Sequence, residues 1–153
     1  LPAHLVVVGD GPDRPVLAER VQALGLEGHV HWLGYRGDLN VVLSALDLLV
    51  MPSSWEGFGI VQAEAMYKRL PVIATDVGGS REVIAPFETG LLVPFGDTER
   101  LASAAELVLS NPALAGALGA RGRQRVEAMF TSETMVAAYE QLYQELADRY
   151  LRR

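Results

Sequence analysis

Glu56 and Glu64, separated by seven residues, enclose two glycines, Gly57 and Gly59, in the stretch SSWEGFGIVQAEAM from Ser53 to Met66. The stretch follows an apolar run and leads into a helix-like pattern, so the glycines fall where a first helical turn is expected. Each would cost that turn about 1 kcal/mol relative to alanine. Without a Cβ, however, a bulky ligand can come close to the backbone, and the unpaired N–H groups of the coming helix point at it. Such a helix start binds anions, with roughly 0.3–1 kcal/mol from the helix dipole and more from charge-assisted N–H bonds. A carboxylate, with two acceptor oxygens, suits a vicinal diol such as ribose. Carboxylate, glycine-flanked helix start and carboxylate together fit a sugar phosphate.

Both glutamates also have structural readings. Ser53-Ser54-Trp55-Glu56 matches the S-x-x-E capping box, which would make Ser53 and Glu56 helix-start residues, although Gly57-Phe58-Gly59 continues such a box poorly. Glu64 lies four residues after Ile60 and three after Val61, a spacing that places it on an inward stripe beside Ala63, Ala65 and Met66. A carboxylate there must be satisfied, because burial without a partner is costly or forces protonation. A ligand hydroxyl would satisfy it, and so would a backbone amide or an arginine.

The elements that must position this stretch alternate. Leu5 to Val8 reads as a strand buried on both faces, ended by Gly9-Asp10-Gly11-Pro12. A helix is predicted from about Pro15 to Leu24, a strand over Val30 to Leu33, a helix over Leu39 to Ala45 and a strand over Leu48 to Met51. The helix of the chemical stretch runs to about Lys68. Strands follow at Pro71 to Ala74 and Leu91 to Val93, with a short helix holding Val83 and Ile84 between them. This rhythm predicts an α/β, Rossmann-like open parallel sheet with helices on both faces and right-handed crossovers. Ligands of such sheets sit off the carboxyl ends of the strands, where Glu56 falls.

Beyond Gly96 helices are expected, with Asp97 capping the first and Asn111 capping the second, Pro112 standing in its first turn. Met135, Ala138, Tyr139, Leu142, Tyr143, Leu146 and Tyr150 form an amphipathic stripe on the last, read as packing onto this domain or, alternatively, docking on another. Gly116, Gly119 and Gly122 weaken their helix without an evident function. The expected organisation is a single partial domain over residues 1–153, with an α/β core over 1–96 and C-terminal helices over 97–153.

A chain of 153 residues, 50% hydrophobic and 21% charged, has the length and composition of one globular domain. Its formal net charge of −6 argues against nucleic acid or an anionic membrane as the main partner, and the arginines at 149, 152 and 153 are too few to overturn that. The absence of cysteine excludes disulfides, thiolate catalysis and Cys-built zinc sites, and makes a cytoplasmic location the default. No apolar run approaches the roughly twenty residues of a membrane span. A start at Leu1-Pro2 reads as a fragment or a processed product.

The pair Glu56 and Glu64 within PSSWEGFGIVQAEAM resembles the E-x7-E signature of retaining glycosyltransferases of the GT-B fold, glycosyl transferases group 1, a family that includes sucrose, trehalose, mannosyl and lipopolysaccharide glycosyltransferases. VVVGDGP, VHWLGYRGDLNVVLSALDLLVMPSSWEGFG, PVIATDVGGSREVI and TGLLVPFGD resemble its C-terminal, donor-binding domain in order, over nearly the whole chain. The resemblance implies transfer of a sugar from a nucleoside diphosphate sugar to an acceptor, with retention at the anomeric carbon. It implies that Glu56 lies by the donor sugar as the catalytic carboxylate and that Glu64 binds the ribose hydroxyls. The backbone around Gly57, Phe58, Gly59, Ile60 and Val61 would receive the sugar and diphosphate, and Tyr35 and Arg36 would face the nucleobase. No cofactor and no metal are implied, and the acceptor, a glycan, lipid or small molecule, stays open.

The same family opens its donor domain with one more strand, placed between those at Leu5 and Leu48, and a G-R-L-x-x-x-K-G-like segment whose Arg and Lys neutralise the diphosphate. Nothing from Leu1 to Leu5 matches it, and the acceptor-binding N-terminal domain is likewise unmatched, so this polypeptide alone is expected to be inactive. Peripheral contact with the inner membrane, if the protein makes any, falls to that missing half. Where the family has glycine the chain has Arg69, at a cost of about 1 kcal/mol if the backbone there is left-handed. A nucleotide- or nucleotide-sugar-binding regulatory module and a GT-B-type sugar-nucleotide epimerase are the alternative functions. A dinucleotide-binding reading of Gly9-x-Gly11 is weak, since Arg14 holds the third glycine position. His29 and His31 share a strand face without a carboxylate and read as packing. The loop Gly78-Gly79-Ser80-Arg81-Glu82 resembles one placed near the donor, with Glu82 either orienting it or capping its helix. Asp76 and Asp97 read as turn and cap residues.

Overall fold

Strand β1 (Leu5–Val8) pairs in parallel with β2 (Val30–Gly34), Leu5 opposite Val30 and Val7 opposite Trp32, in a computed structural model that describes residues 2–150. Leu1 and, of the arginine tail, Arg152 and Arg153 lie outside the described residues. Helix α1 (Arg14–Ala23), with Pro15 in its first turn, joins the two strands. These elements belong to a first compact unit of residues 1–42, and α2 (Leu39–Ser44) runs across the division into a second unit, 43–153. β1 is not buried on both faces as its apolar run suggests. Leu5 is 54% exposed and Val6, Val7 and Val8 are half-buried. Two strands and α1, which buries no residue, are too little material to cover two sheet faces.

In the second unit β3 (Leu49–Met51), β4 (Val72–Thr75) and β5 (Leu91–Val93) form a parallel sheet in that order, Leu49 opposite Val72 and Ile73 opposite Leu91. β4 is central and buried throughout. Helices α3 (Ile60–Tyr67), α4 (Ser80–Val83), α5 (Thr98–Leu109), α6 (Pro112–Met129) and α7 (Ser132–Tyr150) follow the strands. The core joins Ile73, Leu91 and Val93 to Val108 of α5 and Leu118 of α6. The parallel β-α order is the predicted one, and the described strands form two ladders, β1–β2 and β3–β4–β5, as expected of a sheet that lacks the strand between those at Leu5 and Leu48.

Local chemistry sets the helix ends. Asp97 accepts from the Arg100 N–H at 3.0 Å and Asn111 from the Leu114 N–H at 3.0 Å, the two N-caps expected. Arg69 is left-handed, with φ +62°, directly after the end of α3. The glycines of α6 now have a cause: a Cβ on Gly119 would lie 2.0 Å from the Arg69 carbonyl oxygen, and one on Gly122 3.3 Å from Met66 Cγ and from the Thr89 carbonyl oxygen. They let α6 press onto α3 and the turn that follows it. Gly116 faces open space.

Helix α7 buries no residue, and its apolar stripe is exposed, Tyr139 to 53% and Tyr143 to 65%. Packing of the stripe onto this domain is therefore not what the structure contains. Within the stripe the Tyr139 and Tyr143 rings meet with centroids 6.1 Å apart. Among the described residues no single helix is long and apolar enough to cross a membrane.

Candidate functional site

The chain leaves β3 at its carboxyl end and does not become helical until Ile60, so both glycines of the chemical stretch precede α3 and neither weakens it. Gly59 is the N-cap, left-handed at φ +90° and ψ +47°, a conformation that side chains with a Cβ rarely adopt. No side chain caps the helix, so the S-x-x-E box does not form: Glu56 stands three residues ahead of the N-cap. The first helical hydrogen bond runs from the Ala63 N–H to the Gly59 carbonyl at 3.0 Å. The N–H groups of Ile60, Val61 and Gln62 therefore have no partner among the described residues, as the start of an uncapped helix requires.

A second loop, from the carboxyl end of β4 to α4, lies against the first. The Gly79 N–H donates to the Glu56 carbonyl at 2.9 Å. A Cβ on Gly78 would stand 2.4 Å from that same carbonyl oxygen, and one on Gly79 2.4 Å from Phe58 Cα. Glycine is required at both because the loops meet backbone to backbone. Thr75, at the end of β4, donates its hydroxyl to the Ser53 carbonyl and ties the two strand ends together. The Gln62 amide Nε2 donates to Ser80 Oγ at 2.9 Å, both residues being fully buried. From the far side α6 supports the assembly: Arg125 donates to the Glu82 and Val83 carbonyls at 2.8 Å each, and Phe130 meets Phe58 edge-on with centroids 5.4 Å apart. Glu82 caps nothing, since α4 has Gly79 as its N-cap and no side-chain cap. Asp76, half-buried in the turn, holds Arg81 at 2.6 Å, and this hydrogen bond raises the pKa of the guanidinium.

The structure thus brings Glu56, Gly57, Phe58, Gly59, Ile60 and Val61 to one place with Gly78, Gly79 and Ser80. Glu56 is half-buried, and no group among the described residues satisfies its carboxylate. Glu64 corrects the expectation of an inward carboxylate. The buried face of α3 is Gln62, Ala63, Ala65 and Met66, whereas Ile60 is 65% exposed and Tyr67 47% exposed. Glu64, four residues after Ile60 and three before Tyr67, shares their exposed face and needs no internal partner. Its carboxylate is open to a ligand without any cost of burial.

Tyr35 and Arg36 follow β2 in the first unit, apart in sequence and unit from the glutamates. Tyr35 is 86% exposed. Arg36 grips Asp38 through two parallel bonds of 2.8 and 2.6 Å, which raise the pKa of Arg36 and lower that of Asp38. His29 precedes β2, and its Nδ1 meets the Ala3 carbonyl at 3.2 Å. His31 Nε2 meets His4 Nδ1 at 3.0 Å, a histidine the strand-face reading did not include.

Gln62 was not anticipated, and Ser80 only as a member of the loop from Gly78 to Glu82. The signal for Gln62 was present: a polar side chain between Val61 and Ala63, on an apolar helix face, needs a partner. A cavity of about 520 Å³ lies elsewhere, at the opposite end of α3 between Lys68, Arg69, Leu43 and Gly116. It adjoins the amino ends of β3 and β4. The strand carboxyl ends, with their converging glycine loops and open N–H groups, are the better site on chemical grounds.

Comparison with known proteins bears on this site. The sequence model of the family described as glycosyl transferases group 1 matches residues 1–125. The chain is 38% identical over 144 residues to the N-acetyl-alpha-D-glucosaminyl L-malate synthase of Bacillus anthracis, covering 94% of this chain and 38% of that protein. It is 34% identical over 139 residues to the lipopolysaccharide core biosynthesis glycosyltransferase LpsE of Rhizobium meliloti (strain 1021), covering 91% and 41%. Among solved structures, sucrose-phosphate synthase from Thermosynechococcus elongatus superposes with a TM-score of 0.86 at 39% identity, over 95% of this chain and 39% of that one. Anabaena HepE in complex with UDP gives 0.85 at 26% identity, over 95% and 41%. The parallel sheets with flanking helices are those of GT-B glycosyltransferases. The chain spans about two-fifths of the length of these relatives.

Proposed function

We propose that this chain, which belongs to the glycosyl transferases group 1 family, is the donor-binding part of a glycosyltransferase: it binds a nucleoside diphosphate sugar, and the native protein transfers the sugar to an acceptor with retention at the anomeric carbon. The observation that carries the reading is the start of α3, where N–H groups stand uncapped behind a left-handed Gly59 three residues after Glu56, whose carboxylate has no partner among the described residues. In support, one similar structure, Anabaena HepE, was solved with UDP and another form of it with UDP-glucose.

In this reading the diphosphate lies at the N–H groups of Ile60, Val61 and Gln62. They stabilise the negative charge that grows on it as the glycosidic bond breaks, without reorganising when it does so. Glu56 adjoins the sugar, where a carboxylate can stabilise positive charge developing at the anomeric centre. Glu64, exposed one turn further along α3, takes the ribose hydroxyls on its two oxygens. Tyr35 and Arg36 are the proposed residues of the nucleobase side, Asp38 holding the Arg36 guanidinium in one orientation. No metal enters this scheme, and the chemistry runs in a cytoplasmic setting.

The test is direct. Calorimetric titration of the native protein with UDP, GDP and ADP should find one base bound well above the others. Proton NMR of the product from the matching sugar donor should show the donor's anomeric configuration kept. Binding without transfer to any acceptor would favour a regulatory module, and an altered free nucleotide sugar an epimerase.

A further inference from the structure

The buried amide of Gln62 spans two loops. Its Nε2 reaches Ser80 Oγ at 2.9 Å, while its Oε1 is buried without a hydrogen-bond partner among the described residues. A glutamine held in an apolar helix face with one polar atom unsatisfied costs folding free energy. Such a residue has a use where the bond it does make holds something in place.

What it holds is defined by its neighbours. Ser80 follows Gly79, whose N–H fixes the Glu56 carbonyl at 2.9 Å, and the Gly78–Gly79 backbone rests on Glu56 and Phe58 with no room for a Cβ. Gln62 itself stands on the first turn of α3, beside the N-cap Gly59: a Cβ on Gly59 would lie 2.9 Å from Gln62 Oε1. Within the described contacts the Gln62–Ser80 bond is thus the side-chain link between the N–H groups at the start of α3 and the loop that positions Glu56.

We propose that Gln62 and Ser80 are a positioning pair: their hydrogen bond fixes the glycine loop after β4 against the start of α3, and so sets the geometry with which the site grips a diphosphate. Neither side chain of the pair touches the ligand; of the two residues only the Gln62 backbone N–H does. This rests on the reading of the site as a nucleoside diphosphate site, which fixes the choice of test.

The test is a double-substitution cycle, Gln62→Met, Ser80→Ala and both together, in the native protein, with thermal unfolding and the Kd for whichever of UDP, GDP and ADP the unaltered protein binds. Each single substitution strands a buried polar group and should lower the unfolding temperature, whereas the double removes both and should recover it. Affinity should behave differently. All three variants lose the tether, so each should bind roughly three- to tenfold more weakly, the span corresponding to one hydrogen bond, and the double should be no weaker than the worse single. An unchanged Kd in all three, with stability alone affected, would overturn the positioning role. Failure of the unaltered protein to bind any of the three nucleotides would instead overturn the nucleotide reading on which it rests.

Discussion

Glu56 combines a half-buried, unpartnered carboxylate with a backbone carbonyl pinned by Gly79. A residue so held can act on charge that appears only during reaction. Glu56→Gln should therefore lower kcat by about a hundredfold or more while moving donor Kd by less than about threefold. Equal losses in both would make Glu56 an ordinary binding residue. For Glu64 the exposed position separates ligand contact from stability. Glu64→Ala should raise the Kd for the nucleotide about tenfold and leave the unfolding free energy within about 0.5 kcal/mol, read by calorimetry and denaturant titration. The types and spacing of both carboxylates were legible in the sequence. The direction of Glu64 was not, because apolar spacing makes Ile60 an inward anchor, whereas it is 65% exposed. Which face of α3 is buried is decided by what packs on it, the Gly119–Gly122 side of α6, more than fifty residues further along the chain.

At the level of elements, the glycines of α6 and the residue after α3 give opposed expectations that denaturant titration can separate. Gly119→Ala places a Cβ 2.0 Å from the Arg69 carbonyl oxygen and should cost about 1–3 kcal/mol. Gly116→Ala enters open space on the same helix and should gain about 0.5–1 kcal/mol. Strands β1 and β5, the caps Asp97 and Asn111 and the left-handed turn at Arg69 were readable because each rests on a local pattern or, at Arg69, on the residue type the family holds there. The purpose of Gly119 and Gly122, and of Gly78 and Gly79, was not. Those glycines answer contacts between segments far apart in sequence, Arg69 with Gly119 and Glu56 with Gly78, to which no local pattern points.

For the whole molecule, the α/β class was legible from the alternation of apolar strands and helices, whereas its division into two ladders was legible only through the family's further strand between those at Leu5 and Leu48, since periodicity alone does not show it. Apolar periodicity reports that a strand exists, not which neighbour it finds, and among the described residues β1 pairs only with β2 and β3 only with β4. The stripe on α7 was visible as a pattern, but pattern alone does not say what lies opposite. Because it is exposed, Leu142→Ser in this chain should change stability by no more than about 0.5 kcal/mol, whereas Leu118→Ala, at a fully buried position, should cost about 2–5 kcal/mol. For the native protein, chelation with EDTA should leave transfer unchanged; its abolition, restored by a divalent ion, would require a metal in the scheme.

The central claim, that a diphosphate binds at the start of α3, is tested most directly by glycine-selective isotope labelling and NMR titration with the nucleoside diphosphate that binds. The amide signals of Gly57, Gly59, Gly78 and Gly79 should shift together and saturate at the same Kd. Unmoved signals at all four, with shifts instead at Gly116 beside the cavity at the other end of α3, would contradict it.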